Sequence, residues 1–296
     1  MKNVVLLVAE CFRYDYVPKG LSSLGSLVKT GAAGLYTPTC FSSLLSGVDP
    51  TKHKVGRFFD KLTSKTILDL PYWSSNVFHD VHWDAMIVRT LDRRKAPVIE
   101  LEDIEPPFIW AERLYDSHLP YGMLRHGGGF PEGWTAMDTE RYNQGLMKND
   151  NALKEYPKGI VALEEHIKQH LDTLKDRGLW DDTLVVITGD HGELLGETWE
   201  GKRQYNHGWP PCWQLIEVPT IWVNQDVNRQ FMRQIDIAPT ILGILNKPIP
   251  EWMDGVDVTR VNPPLVFNNV KEVCLTIWEY KKGHVEMKEW SKERLE

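Results

Sequence analysis

Residues 184–193 read Leu-Val-Val-Ile-Thr-Gly-Asp-His-Gly-Glu. Four apolar or β-branched residues describe a buried strand, Thr188 and Gly189 end it, and Asp190 and His191 follow at once. An open α/β sheet carries its ligand sites at the C-terminal edge of its strands. A carboxylate and an imidazole placed there form half of a divalent-metal site, because zinc accepts N and O ligands and manganese tolerates them. Taken alone, the same residues also suit a polar turn leaving a strand.

The N-terminus supplies a second strand end. Residues 3–9, Asn-Val-Val-Leu-Leu-Val-Ala, are apolar almost throughout rather than alternating, the pattern of a strand buried on both faces. Glu10 follows directly, then Cys11, Phe12, Arg13, Tyr14 and Asp15. Further on, Tyr36-Thr37-Pro38-Thr39-Cys40-Phe41-Ser42-Ser43-Leu44-Leu45-Ser46-Gly47 leads small hydroxyl residues into a short helical run. Such a segment can aim a hydroxyl at a metal from a helix N-terminus, or it can be only an N-cap.

In order along the chain, these segments resemble the alkaline phosphatase superfamily, in particular its sulfatase-like branch. Asn3 to Asp15 is similar to the family's opening strand and metal-ligand turn, and Thr37 to Gly47 to its nucleophile segment, with the following loop at Val48 to Val55. Tyr115-Asp116-Ser117-His118-Leu119-Pro120-Tyr121 resembles the mid-chain histidine loop, and Leu174 to Glu193 the helix and strand that end in Asp-His-Gly-Glu. Asn206-His207-Gly208 with Leu215 to Pro219 is similar to the late histidine loop and next strand, and Ile235 to Thr240 to the helix start after it. The resemblance implies an α/β protein: a three-layer α/β/α sandwich with a mostly parallel, doubly wound sheet. It also implies a metal held by Glu10, Thr37, Asp190 and His191, with Thr37 as nucleophile and His118 and His207 stabilising charge. One divalent ion is expected, zinc or manganese favoured and calcium or magnesium possible. Arg13 and Lys202 are candidate substrate-binding cations, although Arg13 is equally placed for an ion pair with Asp15.

Departures from the family pattern shape the expected chemistry. Thr37 stands where sulfatases of the usual kind keep a Cys or Ser that becomes formylglycine, and the arginine that follows there is absent from Thr37-Pro38-Thr39-Cys40-Phe41. Glu10 replaces the usual Asp, and Cys11 replaces a second acid, which disfavours a hard calcium site. Glu with Thr, Asp and His resembles the single-metal set of lipoteichoic acid synthases and phosphoethanolamine transferases. The expectation is a metal-dependent hydrolase of small-molecule phosphate, or sulfate, esters working through Thr37, with phosphate favoured. Alternatives are a phosphotransferase and a non-catalytic binding or assembly protein that keeps the fold.

Composition bounds the remainder. The 296 residues suffice for one large α/β domain. A net charge of −7 argues against a nucleic-acid binder and gives no attraction to anionic lipid. Substrate anions must then be drawn by local groups. The four cysteines lack C-x-x-C spacing, and with no signal-peptide core and no stretch of roughly 18 apolar residues the expectation is cytoplasmic, off the membrane. Oligomeric state is not legible. Twelve Trp are many, and those in loop-rich parts suit a cleft or the core.

Residues 1–263 are expected to form the catalytic domain, with 264–296 a small C-terminal appendage of the same domain, a β-hairpin around Lys281-Lys282-Gly283. Further expectations are an amphipathic helix over Ser22–Thr30, a second opening at Ser42, a strand at Val77–His79, and a strand from Phe108. An irregular, lid-like stretch is expected over 122–138, and helical periodicity from Arg141 to Arg177 with Gly178 as a stop signal.

Overall fold

Strand β1 (Asn3–Ala9) is buried at every position and runs through the middle of the molecule. A computed structural model describes residues 1–75, 84–93, 98–124, 129–272 and 274–291. After β1 come α1 (Lys19–Ser22), β2 (Gly25–Gly31), α2 (Thr37–Ser46), α3 (Pro50–His53), β3 (Ser74–Ser75) and α4 (Asp84–Thr90). The middle of the chain forms β4 (Phe108–Leu114), α5 (Ala136–Leu146), α6 (Asn151–Asp176), β5 (Thr183–Gly189), β6 (Leu194–Trp199) and β7 (Lys202–Asn206). The remainder is α7 (Trp213–Ile216), β8 (Glu217–Val223), β9 (Phe231–Arg233), α8 (Ile237–Ile244), β10 (Val266–Lys271), β11 (Cys274–Lys281) and β12 (His284–Ser291).

Seven strands form one sheet in the order β3-β4-β1-β5-β8-β2-β9. Only β8 runs against its neighbours, so the sheet is mostly parallel. Alternation of side chains along each strand builds two cores. Val4, Leu6 and Val8 pack with Phe41, Leu44 and Leu45 of α2 and with Ile237 and Ile241 of α8. Val5 and Leu7 face Tyr156, Ile160, Leu163 and Ile167 of the long helix α6. Those two helical layers around one sheet are the expected α/β/α sandwich.

The register aligns the strand ends that matter. Ala9 pairs with Leu114 on one side and with Gly189 on the other. The ladders run one residue further, through Glu10 N–H to Leu114 O and Asp190 N–H to Ala9 O. Glu10 and Asp190 therefore leave the sheet side by side.

Three expectations need correction. The Ser22–Thr30 helix is instead the end of α1 followed by strand β2. Leu24, Leu27 and Val28 have helical spacing, but Leu27 packs toward one layer and Val28 toward the other, and pairing with both β8 and β9 outweighs local preference. A Cβ on Gly25 would lie 2.0 Å from Trp222 O, so β8 can approach only a glycine there. Helix α2 starts at Thr37 rather than Ser42, with Pro38 in its first turn and Gly47 closing it at φ 68°. The helical pattern from Arg141 divides into α5 and α6, separated by Asn149 and Asp150 in the left-handed region. Gly178 does follow α6 with φ 68°. The expected Val77–His79 strand lies outside the described residues, as do 125–128 of the expected irregular stretch over 122–138, whose last three residues are the start of α5, capped by Thr135.

At the C-terminus β10-β11-β12 form a separate antiparallel sheet, one strand larger than the expected hairpin. Val270 N–H donates to Ala33 O, Glu272 N–H to Gly56 O, and Val285 N–H to Glu217 Oε1, joining it to the segment between β2 and α2, to the loop after α3 and to the start of β8.

Just beyond α2, His53 is buried and doubly hydrogen-bonded. Val55 N–H donates to Nδ1 at 3.0 Å, so Nε2–H donates to Ser43 Oγ at 2.8 Å. Burial pushes its pKa down to about 4. The folded protein thus holds His53 neutral where the unfolded chain, near pKa 6.5, takes a proton. Its contribution is complete above pH 6.5 and is lost as pH falls toward 4, by about 3 kcal/mol in total. Denaturant melts of wild type and His53→Gln should show a shallower loss of stability over that window in the variant. Parallel curves would contradict the assignment.

Candidate active site

Glu10, Thr37, Asp190 and His191, drawn from β1, α2 and β5, meet at the C-terminal edge of the sheet and are all buried. Thr37 Oγ1 donates to Glu10 Oε1 at 3.0 Å and lies 3.4 Å from His191 Nε2. Thr37 is thus not a cap: Tyr36 occupies that position, and the hydroxyl points into the carboxylate cluster. Asp190 Oδ1 accepts the backbone N–H groups of Cys11 and His191 at 3.0 and 2.7 Å. Cys11 reaches this contact only with φ 59°, a left-handed conformation that a non-glycine residue adopts at some cost.

Two carboxylate oxygens in this cluster, Glu10 Oε2 and Asp190 Oδ2, are buried with no hydrogen-bond partner among the described residues. One ligand atom each from Glu10, Asp190 and His191 lies within 4.8 Å of the others. Buried lone pairs of this kind cost free energy unless a cation or donor meets them. The set fits a divalent ion in its donor chemistry as well, with two carboxylate oxygens, one imidazole and a hydroxyl.

Electrostatics agree with the geometry. Burial drives the Glu10 carboxyl upward, but the Arg113 guanidinium, 2.6 Å away, and His118 hold it well below the usual carboxylate range. Asp190 goes the other way, raised by burial and then by the charge of Glu10. The pair alone therefore carries about one negative charge, and a cation lets both ionise.

The histidines are neutral and oriented. Burial pushes His191 down to about 3 and His207 to about 4, and lowers His118 as well. His191 Nδ1–H donates to Gly192 O at 2.9 Å, His118 Nδ1–H to Leu119 O at 2.6 Å, and His207 Nδ1–H to Glu193 Oε2 at 3.0 Å. In each ring Nε2 keeps the lone pair. Cys11 Sγ lies 3.9 and 3.5 Å from the Nδ1 atoms of His191 and His207, on the protonated edge of both rings. Burial and Glu193 raise the Cys11 thiol well above its usual value. A metal set of Cys11, His191 and His207 is accordingly disfavoured against the Glu10 set.

Arg113, not anticipated from the sequence, is the cation of this site. It is buried, donates from Nε to Glu10 Oε1, approaches Thr37 Oγ1 to 3.5 Å, and stacks 4.5 Å over Tyr115. Its signal is a Glu-Arg pair inside an otherwise apolar strand, Phe-Ile-Trp-Ala-Glu-Arg-Leu. Glu193, the last residue of the Asp-His-Gly-Glu run, orients His207 and accepts from Tyr121 Oη at 3.2 Å. Arg13 lies behind the cluster, paired with Asp15 at 2.8 Å and Glu197 at 2.5 Å and donating to Glu193 O. Lys202 is exposed at the turn end of the β6–β7 hairpin, opposite Trp199, whereas His207 follows the other end. Five residues of strand, about 16 Å, separate the two.

A cleft of about 430 Å³ opens beside His207, lined by Tyr36, Arg57, Phe58, Asn206 and Lys271 among others. Lys271 Nζ sits so close to Gly208 that a Cβ there would lie 2.8 Å from it. Two cations, against the one carboxylate of Glu272, and aromatic faces on the approach to His207 supply the local attraction that a chain of net charge −7 lacks globally.

Comparison with known proteins follows the same outline. The sulfatase family model matches residues 115–247, which include His118, Asp190, His191 and His207 but neither Glu10 nor Thr37. A low-salt glycan biosynthesis sulfotransferase of Haloferax volcanii is 28% identical over 277 residues, covering 88% of this chain and 65% of that protein. Over residues 115–247 the chain is thus similar to the sulfatases, the sulfatase-like branch of the alkaline phosphatase superfamily that the sequence resembles. A multifunctional alkaline phosphatase superfamily protein of Trinickia caryophylli is 36% identical over 149 residues, 48% of this chain and 26% of that one. A 2-O GAG sulfatase shares the fold at a TM-score of 0.70 and 12% identity, covering 97% of this chain and 85% of that one. The chain thus spans 65% or less of the two curated relatives' lengths.

Replacing Asp190 by Asn keeps both N–H···Oδ1 contacts but removes one negative charge. Without divalent ions the variant should melt close to wild type, because Asp190 there already holds its proton beside Glu10. With zinc or manganese at a hundredfold excess over the Kd of this site, wild type should gain about 2–3 kcal/mol more than Asp190→Asn. An equal metal-induced shift in both would rule out Asp190 as a ligand.

Proposed function

We propose that this protein is a metal-dependent enzyme of sulfate or phosphate esters in which Thr37 is the nucleophile. The observation that carries the reading is the Thr37 hydroxyl, held 3.0 Å from Glu10 Oε1 and 3.4 Å from His191 Nε2 beside two unpartnered carboxylate oxygens. Glu10, Asp190 and His191 would hold the ion, which supplies Lewis acidity that makes the Thr37 hydroxyl a nucleophile near neutral pH.

The chain's own groups account for the rest. Thr37 Oγ1 passes its proton to a neutral imidazole Nε2 and attacks in line at phosphorus or sulfur, the bond to the ester oxygen breaks, and the departing alcohol takes up that proton. Arg113, fixed between Glu10 and Tyr115, turns an N–H edge toward the equatorial oxygens where charge builds. His118 and His207 offer Nε2 atoms for proton transfer, and Glu193 keeps His207 in the required tautomer. Water attack on the Thr37 ester then restores the hydroxyl, with its proton passing to one of these Nε2 atoms.

Charge selects the ester. Two carboxylates, a dication, Arg113 and an ionised Thr37 sum to about zero. A reacting group with one negative charge therefore suits the site better than one with two. Sulfate monoesters and phosphodiesters carry one, and the cleft cations Arg57 and Lys271 suit a further anionic or sugar portion of the substrate. A second reading, transfer to an acceptor alcohol in place of water, is supported by the printed name of the Haloferax relative, a sulfotransferase.

Matched aryl phosphodiester, aryl sulfate and aryl phosphate, assayed with zinc or manganese, test the charge argument. One of the singly charged esters should be turned over best. A clear preference for the doubly charged monoester contradicts it. Thr37→Ala should abolish turnover while keeping most metal affinity. His207→Ala should slow the chemical step by about 2–4 kcal/mol, the scale of one charge-stabilising group. Turnover near wild type in Thr37→Ala would remove the centre of the reading.

A further inference from the structure

On the face of β4 opposite Arg113, one residue breaks an apolar stripe. Phe108, Trp110 and Leu114 pack beneath α6, and between them stands Glu112, almost fully buried. A carboxylate in an apolar layer costs several kcal/mol unless charge or donors meet it. Above it α6 presents His166 and His170, four residues apart and so on one helical face, interrupting the buried run of Leu163, Ile167 and Leu171.

These groups converge. His170 Nε2 lies 2.7 Å from Glu112 Oε2, and His166 Nε2 4.0 Å from Glu112 Oε1. The imidazole rings are 5.0 Å apart. One ligand atom from each of the three lies within 4.8 Å of the others. Asp116, two residues before His118, accepts from His166 Nδ1–H at 3.0 Å. That leaves His166 Nε2 on the Glu112 side, the arrangement in which a carboxylate orients an imidazole toward a metal.

We propose that Glu112, His166 and His170 form a second metal site, separate from the Glu10 cluster, for a zinc-type first-row divalent ion. Two imidazoles and one carboxylate are donors that such ions accept and that calcium and magnesium do not prefer. Ligands about 2 Å from zinc are roughly 3–4 Å apart, so small side-chain adjustments close the set. The His166 side chain is 29% exposed, which gives the ion an entry path and leaves room for water at the remaining positions. Bound there, the ion would tie α6 to β4 directly behind the loop that carries His118. This inference does not depend on the assigned catalytic chemistry.

Metal content after zinc loading and exhaustive dialysis, on the whole chain, tests it. Wild type should hold two zinc per chain, the double variant H166Q/H170Q one, and Asp190→Asn one. Equal zinc in wild type and H166Q/H170Q overturns the second site. Loss of zinc in H166Q/H170Q but none in Asp190→Asn supports it while removing the Glu10 site instead. Should the double variant not fold, cobalt titration of Asp190→Asn decides. One equivalent giving visible d–d absorption, abolished by zinc, supports the site, and absence of any band overturns it.

Discussion

Two carboxylates buried side by side organise this protein. Glu10 and Asp190 end adjacent parallel strands whose register leaves no freedom to separate them, and each keeps one oxygen without a partner among the described residues. Alone they repel, and Asp190 gives way by holding its proton. Much of the surroundings can be understood as a frame for that repulsion. Arg113 meets Glu10 from β4, the backbone of Cys11 takes up a left-handed turn to reach Asp190, and Ser117 Oγ donates to Glu10 O at 2.6 Å. A divalent ion would satisfy the same oxygens, and Thr37 is the hydroxyl delivered to that place by the first turn of α2.

The histidines form a second tier with a common device. Each of His118, His191 and His207 has its Nδ1 proton fixed by an acceptor, a backbone carbonyl in two cases and Glu193 in the third. Fixing one nitrogen defines the other, so the tautomer of all three rings is set without conformational search. Their low pKa values follow from burial first. Neutral imidazoles are what a metal ligand and a proton acceptor require.

Much of this was legible in the sequence because strand ends are legible. Continuous apolar runs stopping on Glu10 and on Asp190-His191 locate the ligand edge of a parallel sheet, and the family resemblance singles out Thr37, the proposed nucleophile. Other features depend on pairing that no local pattern encodes. Gly25–Gly31 has helical spacing but is a strand because β8 and β9 flank it. Arg113 and Glu112 are neighbours in one apolar strand, and only the two faces of the sheet reveal that one serves the Thr37 site and the other meets α6. Arg13 next to the Glu10 turn and Lys202 near His207 are close to the site in sequence, yet an ion-pair network and a hairpin's length set where their charges fall.

The central claim is the convergence of Glu10, Thr37, Asp190 and His191 on one cation. Crystals grown with manganese or zinc, measured at the metal's absorption edge, test it most directly. An anomalous peak about 2 Å from carboxylate oxygens of Glu10 and Asp190 and from His191 Nε2, with Thr37 Oγ1 facing it, is the predicted result. A peak seated instead between Cys11 and His207, or none at the ends of β1 and β5 in a fully loaded crystal, would contradict it.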